Sequence, residues 1–358
     1  MFCLVSTTTI FMYQRIVILK PCCIGDVIFA TPLLLALRRA YPTAVIDWAG
    51  GGSARAALSG HPALETIHDT GGRANPASRP LSLLRAVLTV RRGAYDLAVT
   101  PDRSRLLGLI PLLAGIPVRA GLDSGGRGFA HTIRAPIDPA VIRHEADIYL
   151  DVGRALGIHV EGVYAECPPP PEAHARAEAI MTEHHLQIGR FVIVHPGGGV
   201  NAGMTMTIKR YPPLHMAALA DRLSRVLGDI PVVSIGAASD REALAVFRAA
   251  AQAPLIDLAE QLTLREIGAL AVRAALYVGN DNGVGHLAAA SGGKVLMIFG
   301  PSDPRRYAPF VPPDRARVAW RTMTLPTGGV GGAPPDFRWE RDGVTVDEAF
   351  QAALPLLV

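Results

Sequence analysis

Lysine is almost missing from this chain: Lys20, Lys209 and Lys294 are three among 35 basic residues. A lysine inside a polar, Gly-rich stretch is therefore worth asking about. Cysteine is also sparse. Cys3, Cys22, Cys23 and Cys167 make neither a metal-ligand spacing nor a disulfide framework, which suits a reducing cytoplasm. No apolar run reaches the ~18 residues that span a bilayer. The longest, Leu106–Val118, is broken by Pro111 and Pro117 and reads as a buried helix followed by a turn. The apolar, Thr-rich stretch Met1–Tyr13 has no Lys or Arg ahead of it, as a secretory signal requires. Residues 1–11 read as a leader or a misplaced start. Asp-x-Asp, the usual device for a diphosphate-bound divalent metal, does not occur. Nor does a basic cluster interleaved with aromatics, which argues against nucleic acid as a partner.

What is present is apolar and unevenly charged. Hydrophobic residues make up 49% and charged residues 18% of 358, a well-packed composition long enough for two domains. Residues 1–165 hold 17 Lys and Arg against 12 Asp and Glu, whereas residues 166–358 hold 18 against 19. A basic first half fits an anionic substrate or an acidic membrane surface; a solvated arginine-rich face gives the same count.

Strand and helix patterns alternate twice. RIVILK (Arg15–Lys20) is a buried strand, the loop Pro21–Asp26 follows, and Val27–Tyr41 has helical spacing up to Pro42. Ala44–Ala49, Leu64–Ile67 and Tyr95–Pro101 read as further strands, with a helix over Leu81–Arg92. His144–Ile158 reads as an amphipathic helix. Cys167–Pro171 holds four successive prolines, a stiff spacer and the natural domain boundary. Beyond it, strands at Arg190–His195 and Pro231–Ile235 alternate with helices at Leu214–Leu227, 239–251 and Leu264–Ala274. Pro326–Pro335 is Gly- and Pro-rich, and Thr345–Leu357 forms a terminal helix. The expected fold is α/β with two doubly wound, Rossmann-like domains facing a cleft: residues 12–166, then 172–340.

The densest polar stretch is Gly279–Pro304, GNDNGVGHLAAASGGKVLMIFGPSDP. It follows the apolar run Ala274–Val278, opens a helix at Asn282-Gly283, and closes on a second apolar run, Val295–Phe299. A helix N-terminus there is a natural seat for phosphate. Gly283 to Ala288 also fits the dinucleotide pattern G-x-G-x-x-A, with Asp303 about 20 residues on. Against that reading, Asp281 would set a carboxylate beside a pyrophosphate.

Three blocks, in this order, resemble glycosyltransferase family 9, the heptosyltransferases of GT-B fold. They are ILKPCCIGDVIFATP (Ile18–Pro32), the segment Val194–Pro212 with His-Pro-Gly-Gly and Lys-Arg-Tyr-Pro, and Asp281–Pro304. Departures are Cys22-Cys23 where the family has a Ser-Ser or similar pair, Asn282 for Ser or Thr, and Val284-Gly285 for a Pro-containing pair. The resemblance implies an inverting, metal-independent transfer of heptose or a similar sugar. The donor would be a nucleotide-diphosphate sugar, ADP-linked, acting as substrate with no separate cofactor. The acceptor would be a sugar hydroxyl of a glycolipid or cell-surface polysaccharide. Such an enzyme would be cytoplasmic, working free or peripherally at the inner membrane surface. Its terminal helix, residues 345–358, would return to the first domain.

The residues that could carry this chemistry each have a plainer reading. Asp26, at the carboxyl end of the first strand, is the candidate base; it also suits a helix N-cap. Lys209 is the candidate diphosphate clamp, or a solvated lysine. Gly197, Gly198 and Gly199 would let backbone N–H groups approach phosphate oxygens, or simply form a tight turn. Asp281, Asn282, Gly283 and His286 form the nucleotide-facing helix start, with His286 equally a core histidine. Asp240 could hold ribose hydroxyls or cap a helix. Lys20 could neutralise an anionic acceptor or merely end a strand. The alternatives to a transferase are a nucleotide-sugar epimerase of the same fold and a non-catalytic nucleotide-sugar binder.

Overall fold

The computed structural model describes residues 13–71, 76–201, 204–325 and 334–357. Residues 1–11, expected as a leader, and most of the Pro326–Pro335 segment lie outside them.

Two parallel six-stranded sheets dominate. The first comprises β1 (Arg15–Leu19), β2 (Val45–Gly50), β3 (Ile67–Asp69), β4 (Leu97–Thr100), β5 (Val118–Ser124) and β6 (Ile133–Ile137). The second starts with β7 (Val192–His195). After a small antiparallel pair, β8 (Val200–Asn201) and β9 (Met204–Thr205), it resumes with β10 (Val232–Ser234) and β11 (Leu255–Asp257). It ends with β12 (Leu276–Asn280), β13 (Val295–Ile298) and β14 (Ala316–Ala319). Their orders are β3-β2-β1-β4-β5-β6 and β11-β10-β7-β12-β13-β14. In both, the strand order reverses beside the first strand, and that switch opens a crevice at the carboxyl ends. The segments just after β1, β7 and β12 carry Asp26, in the first turn of a helix, and Gly197–Gly199 and Asp281, in loops, so topology alone sends all three to such crevices.

The central strands are continuous apolar runs because helices cover both faces. In β1, Ile16, Val17 and Ile18 are fully buried, as are Ile193 and Val194 in β7. The expected single helix Val27–Tyr41 is two, Ile24–Phe29 and Thr31–Ala40, hinged at Ala30. Pro32 explains the break: it has no N–H to continue the ladder but fits the first turn of a new helix. Asp26 is therefore not an N-cap. It is the third residue of a helix capped at Cys23. Cys22 and Cys23 are joined to each other by a disulfide, so two of the four cysteines do pair, although the bond spans only one dipeptide.

The linker is bolted down rather than a free spacer. Cys167 is fully buried, its N–H donates to the Ala290 carbonyl (2.8 Å), and Arg265 of the second half donates to the Cys167 and Ala57 carbonyls. Pro171 opens a helix, Pro171–Glu183, that sequence spacing did not announce. The terminal helix Val346–Ala353 does not return to the first half. Ala349, Ala353 and Leu356 lie in the core of the second sheet, the helix packs beside Pro213–Val226, and Arg321 pairs with Glu348 at 3.0 Å. Its narrow alanine face fits a surface already within reach of β14.

Candidate active site

The two halves meet through the helices that follow β1 and β12. Ile24–Phe29 and Gly283–Ala290 touch at their first turns: a Cβ added to Gly283 would lie 2.5 Å from the Ile24 Cβ, and one on Gly25 would lie 3.3 Å from the His286 Cδ2. Only glycine permits this approach, and it sets Asp26 beside the Gly283–Ala290 helix of the other half.

On the first half, the Asp26 side chain is 41% exposed. Its Oδ1 accepts from the Tyr149 hydroxyl at 2.8 Å and lies 4.0 Å from the Lys20 Nζ. Burial and the Asp26 charge push the Tyr149 phenol far above its usual range, so it stays protonated and donates. Lys20 is itself buried, with its ammonium bonded to Asp102 at 2.8 Å and set over the Tyr149 ring at 4.7 Å. Burial opposes that charge, but Asp102 and Asp26 outweigh it and raise the Lys20 pKa. Lys20 therefore neither ends a strand idly nor reaches out to an acceptor; it stands behind Asp26.

On the second half, the Lys209 Nζ donates to Asp281 Oδ2 at 2.7 Å, and the Ser302 hydroxyl donates to the same oxygen at 2.7 Å. His286 Nε2 lies 3.7 Å from Asp281 Oδ1. Burial alone would raise the Asp281 pKa; Lys209 and His286 override it and hold the carboxyl well below the usual range. Lys209 keeps 19% of its side chain exposed and also lies over the Tyr307 ring at 5.7 Å. It is a positioned cation, not a loose surface lysine. His286 is buried between Gly25 and Asp281, and its Nδ1 has no hydrogen-bond partner.

Three expected ligand groups are partly spent inside the protein. Asn282 caps its own helix, Oδ1 accepting from the Val284 and Gly285 N–H groups at 3.0 and 3.1 Å, which takes two of the donors expected for phosphate. The Gly198 N–H donates to Asp240 at 2.9 Å rather than toward the crevice. Gly198 has φ +101° and a Cβ there would lie 2.5 Å from Asn282 Nδ2, so a tight turn requires glycine at this position. Asp240 accepts from Gly198, Arg210, Ala237 and His195. Those four bonds use a carboxylate's acceptor sites and leave none for ribose hydroxyls. Its pKa falls far below normal because these bonds overcome its burial.

A cavity of about 970 Å³ opens beside this loop at the carboxyl ends of β7 and β10. Ile235, Ala237, Leu262, Leu264 and Val284 give it an apolar lining, and Arg55 and Ser59 of the first half close its far side. An aromatic base fits such a slot. Among the described residues, no three His, Cys, Asp or Glu gather as a metal cluster.

The profile of glycosyltransferase family 9 (heptosyltransferase) matches residues 83–324, more than half of the chain. The chain belongs to this family. This family-9 glycosyltransferase is 28% identical over 326 residues to lipopolysaccharide heptosyltransferase 2 of Escherichia coli K12, covering 85% of this chain and 87% of that protein. Its fold is similar to a family-9 glycosyltransferase of Veillonella parvula, with TM-score 0.79, 22% identity and 97% and 98% of the two chains covered. It is also similar to E. coli ADP-heptose lipopolysaccharide heptosyltransferase II, with TM-score 0.73, 22% identity and 96% and 98% covered. The dinucleotide pattern fails on geometry as well. Asp303 is fully buried and caps the turn Pro304–Tyr307.

Several partners in the family-9 site carry no motif. Tyr149 lies in a helix that reads only as amphipathic, and Asp102 and Tyr307 lie in no patterned position. Ser302 falls inside the Phe-Gly-Pro-Ser-Asp-Pro block, which was the one available signal.

Proposed function

We propose that this glycosyltransferase moves a heptose, or a closely similar sugar, from an ADP-linked donor to a sugar hydroxyl of a lipopolysaccharide-type glycolipid, with inversion and without a metal. The observation that carries this is the contact chain Asp26–Gly25–His286–Asp281–Lys209, which sets a carboxylate and an ammonium around one crevice. The relatives named as lipopolysaccharide heptosyltransferases support the sugar and the acceptor class.

The division of labour follows from charge. Asp26 takes the proton of the acceptor hydroxyl as its oxygen bonds to the sugar's anomeric carbon. The opposite bond to the diphosphate oxygen breaks, and its electron pair leaves with the nucleotide. Lys209, aimed by Asp281 and Ser302, neutralises that leaving charge, and the positive end of the Gly283–Ala290 helix adds to it. Attack from the face opposite the leaving group inverts the anomeric centre. The apolar cavity beside Asp240 takes the base. An acceptor anchored by lipid brings this work to a membrane surface, although no helix among the described residues is long and apolar enough to cross one.

The test is Asp26→Asn assayed with ADP-heptose and a heptose-terminated core acceptor. Transfer should fall by about 10²–10⁴ while ADP affinity stays unchanged. Unchanged transfer, or a product that retains the donor's anomeric configuration, removes this mechanism. Turnover in the presence of a chelator should match that in its absence.

A further inference from the structure

The helix Pro80–Arg92 turns its back on the usual rule for a surface helix. Its buried face is Ala86, Val87 and Val90, packed on the first sheet. Its outer face should then be polar, yet Leu81, Leu84 and Leu88 are 82%, 54% and 45% exposed. At 100° per residue those three leucines point within ~60° of one another, a single stripe. Arg85 and Arg92 project on the same side and Arg91 on its flank, and from Arg79 to Arg92 there are four arginines and no acidic residue. The helix Arg105–Leu113, packed beside it, exposes Leu112 and Leu113 as well.

Arg85 is paired to Asp69 at 3.3 Å, which leaves Arg79, Arg91 and Arg92 as the excess positive charge around the stripe. An apolar stripe with a net basic border is complementary to the interface of an anionic lipid bilayer. Leucines enter the acyl boundary while guanidinium groups meet phosphate headgroups. Three side chains cannot supply the roughly 800 Å² per partner that a stable protein dimer buries, so a second copy of the chain fits less well. Position agrees. In a parallel α/β sheet a helix following a strand begins at the strand's carboxyl end, so Leu81 and Leu84 stand at the same end of the first sheet as Asp26, although the two helices cover opposite faces of it.

We propose that the Leu81–Leu84–Leu88 stripe and its arginines dock the first domain onto an anionic membrane, with the Asp26 crevice opening toward that surface. This deepens the glycolipid reading and rests on it for the purpose of docking, since a lipid-anchored acceptor must be met at the bilayer.

Vesicle co-sedimentation of the whole protein, without donor or acceptor, tests it. Wild type should bind phosphatidylglycerol-containing vesicles and release as salt rises, and should bind phosphatidylcholine vesicles weakly. Leu81→Ser/Leu84→Ser/Leu88→Ser should lower the partition coefficient at least about tenfold. Each of Arg91→Gln and Arg92→Gln should lower it about fivefold on anionic vesicles. Leu84→Trp should show a blue shift in its added emission when vesicles are present. No binding by wild type, equal binding by the leucine variant, or a concentration-dependent dimer that the leucine variant abolishes overturns the proposal. Transfer to a delipidated acceptor is read separately and should be unchanged in the leucine variant. If no transfer occurs while vesicle binding behaves as stated, the glycolipid reading fails and the docking surface stands.

Discussion

The Tyr149 hydroxyl donates to Asp26 Oδ1 across 2.8 Å, and the Lys20 ammonium stands 4.0 Å from the same oxygen. Two positively polarised groups, one on β1's end and one on a distant helix, therefore fix this carboxylate. Removing the hydroxyl leaves a base that is charged but less well aimed. Tyr149→Phe should lower kcat about tenfold, the worth of one hydrogen bond to a charged group, with little change in donor KM. A loss of thermal stability with kcat unchanged would show that Tyr149 only packs.

The contact of the two helices that follow β1 and β12 depends on backbone, not on movable side chains. A methyl at Gly283 would meet the Ile24 Cβ at 2.5 Å and the Gly25 nitrogen at 3.0 Å. Gly283→Ala should push the halves apart, lowering transfer much more than ADP affinity measured by calorimetry. Equal losses in both would place the damage in the nucleotide pocket instead.

Glu145 joins the halves through a buried ion triad. Arg103 of the first half and Arg306 of the second bond it at 2.7 and 2.9 Å, and both Glu145 and Arg306 are 3% exposed. Glu145→Ala strands two guanidinium groups, one fully buried, and should cost about 3–5 kcal/mol in denaturant unfolding. Arg306→Ala leaves Glu145 still paired to Arg103 and should cost less. The reverse ranking would contradict the triad.

Asp240 separates a loop-building role from a ribose-binding one. If its four protein bonds define it, Asp240→Asn should lower thermal stability and nucleotide affinity together. The ratio of ADP to 2′-deoxy-ADP affinity should stay as in wild type. Loss of that discrimination alone would return Asp240 to the ribose.

Acid should loosen the fold through two histidines, of which His144 bonds across to the second half. His61 Nε2–H donates to the Glu166 carbonyl at 3.1 Å and its Nδ1 accepts from Ala63; His144 Nε2–H donates to the Ala308 carbonyl at 2.8 Å and its Nδ1 accepts from Ala146. Burial lowers each pKa from 6.5 to about 4, with Arg265 beside His61 and His286 beside His144 acting in the same direction. The unfolded chain therefore binds more protons between these values, and stability falls as pH drops from about 6.5 to about 4. Each histidine contributes up to about 3 kcal/mol to that loss. Replacing either with Gln should flatten the melting temperature against pH in this window.

Legibility in the sequence followed burial. β1, β7, β12 and β13 are covered on both faces, so they appear as unbroken apolar runs and were readable. The edge strands β6, β11 and β14 are half-exposed, and their mixed letters announced nothing. Pro32, past the first turn of a helix begun at Val27, is the letter that marks the break at Ala30. The terminal helix was misplaced for another reason: an amphipathic pattern says that one face is buried, never against what.

The sequence alone determined two doubly wound units, the glycine loops after their central strands, and the family to which they belong. These are local matters of apolar runs, turn residues and motif spacing. Only the tertiary structure decided what each polar side chain meets. Asp26 is held by Tyr149, 123 residues away, and Lys209 by Asp281, 72 residues on. A carboxylate's environment is set by whatever the chain folds beside it, and neighbours in space leave no mark on neighbours in sequence.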